Sequence, residues 1–436
     1  MWTSPSSREE GTQMSRRLVN TVMGIGLGLA IAALPSKAMA SPSGGDVNPP
    51  DHAVQFLETM GFGSNTPSSG FDISWVDQST GQYFLADGTH QAVAWFNATS
   101  DKFVGFLAPG MFSGSGAPPN VPAADSNATC KAFAALHNSS FTACNGPNGV
   151  VTDDQGRVWV GNSPTSTTTF SDASSNVVVI DPTTQKVVKV IDTGGQARSD
   201  ELSFDPVDHM VLIANPDDGF LTWISTTTLQ VVGTFYYSGN ADLKTPTVAN
   251  HPAAGGLEQS VFDPRTGLFY QAVPGVVSPS GEVLQPGSID VFEPVPVNGV
   301  GQLVTTFAMP SCSNGPTGLV IGPNDTLIGA CSNGGAVVEL HNGYLRTIIP
   351  NVGGADEVWF NPGDGNAYFA IIPTLTTSVL GVANAYNDHW LQNLDISGVA
   401  TSPLPLAHSV AAYEGNNQIF VPVAGQGVFV YQSAGH

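Results

Sequence analysis

The chain has 436 residues, enough for one large β domain or two ordinary ones. Hydrophobic residues make up 41%, which permits a sizeable core and excludes global disorder. Charge is sparse at 11% and lopsided, with 13 basic against 35 acidic residues and a net charge of −22. With no Lys/Arg cluster to offset it, such a surface repels nucleic acid and anionic lipid, and neither is expected as a partner.

The N-terminus predicts an export signal over residues 1–40. Arg16 and Arg17 precede an apolar run from Val22 to Leu34, and Ala38-Met39-Ala40 offers the small residues of a cleavage site. Ser15-Arg16-Arg17-Leu18-Val19 resembles part of a twin-arginine signal, and Met14 is an alternative start. The apolar run is short for a membrane span and none of comparable length follows, so a soluble periplasmic or extracellular protein is expected once the signal is removed. In the next segment, 41–70, Ala53–Met60 reads either as a ring-closing strand or as a short helix.

From residue 71 to 436 one unit repeats. Its clearest copy runs from Asn148 to Thr193. Gly149-Val-Val-Thr-Asp153 meets a turn at Asp154-Gln155-Gly156, then Arg157-Val158-Trp159-Val160-Gly161 follows. Asn176-Val-Val-Val-Ile-Asp181 and Lys186-Val-Val-Lys-Val-Ile191 complete four short strands bounded by turn chemistry. The first strand of the unit recurs at Asp72–Asp77, Asp200–Asp205, Glu258–Asp263, Thr317–Gly322, Asp356–Asn361 and Ser409–Glu414. Seven units of this size predict an all-β, seven-bladed β-propeller of four-stranded antiparallel blades. A pair of β-sandwiches is the competing architecture, and it leaves the recurring four-strand unit unexplained.

The last unit has room for about three strands, which is why a strand from Ala53–Met60 matters for closing the ring. The interval Ala108–Asn145 is predicted to be a long loop over one face. The mature chain keeps Cys130, Cys144, Cys312 and Cys331. An even count in an exported chain predicts disulfides, Cys130–Cys144 and Cys312–Cys331 by proximity; a four-thiolate metal site is the alternative.

In a propeller the first strand of each blade lines the axial channel, so a fixed position recurs around the ring. The first position gives Asp72, Asn148, Asp200, Glu258, Thr317, Asp356 and Ser409, all polar. Carboxylates sharing a narrow channel must hold protons or share a cation. Hard oxygen donors favour Ca²⁺ or Mg²⁺, with Asp72, Asn148, Glu258 and Asp356 as expected ligands. The alternative is local: polar residues at strand starts satisfying turn amides. The next position supplies Glu201, Gln259 and Glu357, expected by strand alternation to point away from the axis. Asp200 and His408 are the candidate catalytic acid or base, while His251 reads more simply as a solvent-facing loop residue.

Gly146-Pro147-Asn148-Gly149, continuing through Asp153, Gly156 and Trp159, resembles repeats of the gluconolactonase/regucalcin and NHL-type propellers. The strand pairs Asn176–Ile191 and Ala92–Leu107 resemble YVTN-type repeats. The first resemblance implies metal ligands of Glu, Asn and Asp type at inner-strand starts. Asn148 matches the Asn context. Gly315-Pro316-Thr317-Gly318 keeps the frame of the Asp context with Thr in place of Asp, and Glu258 stands in a different setting from the family's Glu. The implied activity is metal-dependent hydrolysis of a lactone or ester, or a lyase reaction, on a small molecule by a monomer. A non-enzymatic propeller that binds a protein or glycan is the alternative.

Overall fold

The computed structural model describes residues 54–113, 146–163, 174–195, 197–237, 256–277, 283–374, 377–396 and 407–433. The leader, Cys130, Cys144 and His251 lie outside the described residues, as does most of the long loop between the first two units.

Turn chemistry sets the local structure. Asp77 Oδ1 accepts from the Ser79 amide at 2.9 Å, and Gly81 closes the turn in the left-handed region. The same device recurs with Asp181 and Thr183, Asp205 and Val207, and Asp263 and Arg265. Each such loop reverses the chain within a few residues, so apolar runs on either side pair as antiparallel strands.

The strands assemble into seven four-stranded sheets, the blades of a β-propeller. Blade 1 comprises Phe71–Asp77, Gln82–Asp87, Ala92–Asn97 and Lys102–Leu107. Blades 2 to 6 begin with Val150–Thr152, Leu202–Asp205, Ser260–Asp263, Leu319–Gly322 and Ala355–Asn361. Blade 4 carries an extra hairpin, Val276–Val277 with Val283–Gln285, between its second and third strands.

Blade 7 closes the ring. Ala411–Tyr413, Gln418–Val423 and Gly427–Gln432 come from the C-terminal end, and Gln55–Met60 supplies the outermost strand. Thr59 faces Phe429 and Met60 faces Val428 in this antiparallel seam. The segment that reads as strand or helix in the sequence is therefore a strand.

The core is divided into wedges between neighbouring blades. Val76, Tyr83 and Phe96 of blade 1 pack with Phe420 and Val430 of blade 7, and Trp159 and Val179 of blade 2 with Val211 and Ile213 of blade 3. Equivalent clusters fill every other joint around the ring. Burying large apolar side chains on both faces of each sheet is what holds the circle shut.

Cys312 and Cys331 form a disulfide with Cα atoms 5.2 Å apart, tying the segment before blade 5 to that blade's second strand. That bond rules out a four-thiolate metal site. Among the described residues no helix is long and apolar enough to cross a membrane.

Candidate functional site

Inner strands of the blades surround the axis, and their starts share one irregularity. The Asp200 amide bonds to Ala214 O at 2.9 Å, while the Ala214 amide bonds to Glu201 O at 3.0 Å. Two residues thus face one, which is a β-bulge. Glu258 and Gln259 face Ala272 in the same way, as do Thr317 and Gly318 with Ala330, and Asn148 and Gly149 with Gly161. Blades 1 and 6 show the same register shift, between Phe71 and Ser74 and between Ala355 and Val358.

The bulge corrects one expectation. Strand alternation predicts that Glu201, Gln259 and Glu357 point away from the axis; they line the axial cavity instead. A bulge interrupts alternation, so both of its residues can face the same side. Glu201 on blade 3 and Glu357 on blade 6 meet although neither blade adjoins the other, which places them across the channel from one another.

The first-position residues fall into two groups. Asn148, Thr317 and Ser409 are joints between blades. Asn148 Nδ2 donates to Ser199 O at 2.8 Å, Thr317 Oγ1 donates to Asp356 O at 3.0 Å, and Ser409 Oγ accepts from the Ser74 amide at 2.9 Å. The glycines beside the first two belong to these joints. A Cβ on Gly149 would run into Asp200 O and the Glu201 Cα, and one on Gly318 would meet Asp356 O at 2.7 Å. The Gly-Pro-Asn-Gly and Gly-Pro-Thr-Gly frames therefore seat the Asp-Glu pairs of the following blades.

Asp72, Asp200, Glu258 and Asp356 form the second group, gathered at the channel mouth around two cations. Arg198 holds Asp200 Oδ2 at 3.0 Å and Asp217 Oδ2 at 3.4 Å, and its charge also acts on Asp72 and Glu258. His408 Nδ1 lies 3.3 Å from Asp356 Oδ2 and 4.0 Å from Asp72 Oδ1. Its Nε2 contacts Phe71 O at 3.1 Å, and its ring stacks on Phe71 with centroids 5.1 Å apart. Water reaches this ring unevenly: Asp200 is 4% exposed, but Asp72 is 23% and Asp356 27%.

Burial and crowding set the protonation states. Burial raises the Asp200 carboxyl to about 7, with Arg198 opposing it and Asp72, Asp217 and Asp356 adding to it. Burial also pushes Asp72 and Asp217 up, and Glu258 well up. Glu201 and Glu357 rise well above the carboxylate range, through burial first and neighbouring carboxylates second. For His408 burial acts downward, yet the hydrogen bond and charge of Asp356, helped by Asp72, raise it to about 9. At neutral pH the mouth presents an imidazolium, a guanidinium and a carboxyl poised to gain or lose a proton.

Arg198 and Asp217 are absent from the sequence expectations because they sit in loops, outside the repeating positions. The signal was Arg198's place two residues before an inner-strand Asp in a chain with only 13 basic residues. Among the described residues no group of three or more His, Cys, Asp and Glu side chains is arranged to hold a metal ion. A search against protein-family profiles and a search of curated proteins each find no match to this chain.

Proposed function

We propose that the protein is an exported propeller hydrolase acting on a small hydroxylated lactone or ester at this channel mouth, without a resident metal. The carrying observation is that Arg198 and His408 converge on the same ring as Asp200. The export signal and the Cys312–Cys331 disulfide support a periplasmic or extracellular location.

The donors named for Ca²⁺ or Mg²⁺ fit such an ion poorly. Asn148 Oδ1 is buried without a hydrogen-bond partner among the described residues and has the right chemistry for an ion, but the Arg198 guanidinium stands beside the carboxylates a cation would need and already supplies positive charge there. The Asn148 frame that resembles gluconolactonase-type propellers also serves as a blade joint, through Nδ2 and Ser199 O.

In this reading the ionised Asp200 takes a proton from water as its oxygen bonds to the substrate carbonyl carbon. The two cations stabilise the oxyanion that forms. Collapse of the tetrahedral species breaks the acyl–oxygen bond, and Asp200 returns the proton to the leaving alkoxide. Asp72 and Asp356 hold His408 charged and leave oxygen acceptors for substrate hydroxyls.

The test is pH-stat hydrolysis of δ-gluconolactone and γ-butyrolactone by the mature protein. Turnover is expected to rise as pH passes about 7, to survive a chelator, and to fall by about 100-fold in Asp200→Asn. Loss of activity on chelation would restore the metal-dependent reading. No turnover of either lactone above the spontaneous rate, or equal rates in the variant, would overturn the proposal in favour of a non-enzymatic propeller that binds a protein or glycan.

A further inference from the structure

Below the Glu201, Gln259 and Glu357 layer the channel opens into a second compartment that the mouth chemistry does not use. It is a cavity of about 290 Å³ lined by residues from the second inner-strand position downward, and none of the first-position residues borders it. It continues to Gln78, Pro362 and Glu414, in or beside the turns after the inner strands, so it faces the end of the propeller opposite the mouth.

Its walls are aromatic. Trp75, Phe204, Phe262, Trp359 and Phe360 border it, and the two indoles meet edge to face at 5.2 Å. The Trp75 indole N–H is spent on Thr152 Oγ1 at 3.0 Å, which leaves that ring only an apolar and π surface to offer. Its charged groups all have one sign: Glu201, Glu357 and Glu414 line the cavity, with no Lys, Arg or His.

The inner end is chemically unfinished. Glu201 and Glu357 are 5% and 3% exposed, and Glu201 Oε2 has no hydrogen-bond partner among the described residues. A carboxylate offers about four acceptor sites. Arg198 acts on the carboxylates of the mouth layer above, Asp200, Asp217, Asp72 and Glu258.

We infer that this lower compartment is a second binding site, for a small aromatic or alkyl primary amine whose ammonium group reaches Glu201 and Glu357 while its apolar body lies against the Trp75–Trp359 pair. Charge complementarity selects the ammonium over a carboxylate head, and the aromatic walls attract it through their π faces.

The inference does not require the lactone reading, because none of the first-position residues borders the compartment, which opens at the end of the channel opposite the mouth. The experiment is calorimetric titration of the mature protein at pH 7 with 2-phenylethylamine, 2-phenylethanol and 3-phenylpropanoate. The amine is expected to bind one to one, at least about tenfold tighter than the alcohol. The carboxylate is expected not to bind. Glu201→Gln, which keeps the shape of the side chain, is expected to weaken the amine about tenfold, and Trp359→Leu to weaken amine and alcohol alike. No amine binding, equal affinity for amine and alcohol, or unchanged amine affinity in Glu201→Gln would each overturn the assignment. A melting curve for each variant shows that it is folded.

Discussion

The inner strands end in polar residues at both ends of the channel, yet the two sets behave differently. At the far end Asp77, Asp153, Asp205 and Asp263 accept hydrogen bonds from amides two residues further along the chain. At the mouth Asp72, Asp200, Glu258 and Asp356 find their cations in Arg198 and His408, and His408 comes from the opposite end of the sequence to Asp72. A locally satisfied acid builds a turn; Asp72 and Asp356, which meet His408 only through the closed ring, build a site together with the Arg198–Asp200 pair. Composition is blind to this distinction, because both ends are acidic.

The largest break in that contrast is expected from Arg198→Met. Removing the cation leaves Asp200 and Asp217 buried beside other carboxylates, and breaking a buried pair in this way costs about 3 kcal/mol or more. Scanning calorimetry should show a clear fall in Tm at pH 8. A smaller fall is expected at pH 5, where Asp200 holds its proton. An equal fall at both pH values would mean that Arg198 acts through packing alone.

The pH dependence of the unaltered protein sharpens the same point. The folded Asp200 titrates at about 7 against an ordinary 3.8, and His408 at about 9 against 6.5. In both cases the folded state binds the proton more tightly. The associated stability is present on the acid side and is lost as pH rises, through about 7 for Asp200 and about 9 for His408. Tm should therefore decline from pH 5 to 9.5, with the upper part of the decline missing in His408→Gln. A flat or rising Tm across that window would contradict the assembled mouth.

The smallest effect belongs to the other end. Asp77→Ala removes bonds to Ser79 and Thr80 in one exposed turn. About 1 kcal/mol of stability should go, with lactone turnover unchanged. If turnover fell with it, the far-end acids would belong to the site after all.

How much of this was legible in the sequence follows from the same division between local and distant partners. Four strands per unit, the unit's recurrence and the first-position ring can be read because Asp-x-x turn chemistry and apolar runs are local. The bulge at Asp200-Glu201 cannot, since it exists only in relation to Ala214, and without it Glu201 and Glu357 seem to face away from the axis. Arg198 escapes a search by repeat because it occurs in one blade only. Asn148, singled out by its Gly-Pro-Asn-Gly frame, turns its amide nitrogen toward Ser199 of the next blade, a contact that only the assembled ring reveals. Thr317 and Ser409 do what the plainer reading of polar strand starts allows, in that they bond backbone, though the backbone belongs to the neighbouring blade.

The seam in blade 7 has a consequence for the life of the molecule. Its first strand is held by backbone bonds to its last, between Gln55–Met60 and Gly427–Gln432, so a nascent chain stays an open arc until its final residues arrive. Until then, or after a protease trims the leading strand, Val428–Tyr431 offer a bare edge to any passing β-strand. A second trimmed copy carries the same bare edge, and pairing of the two edges is the route by which damaged molecules would associate.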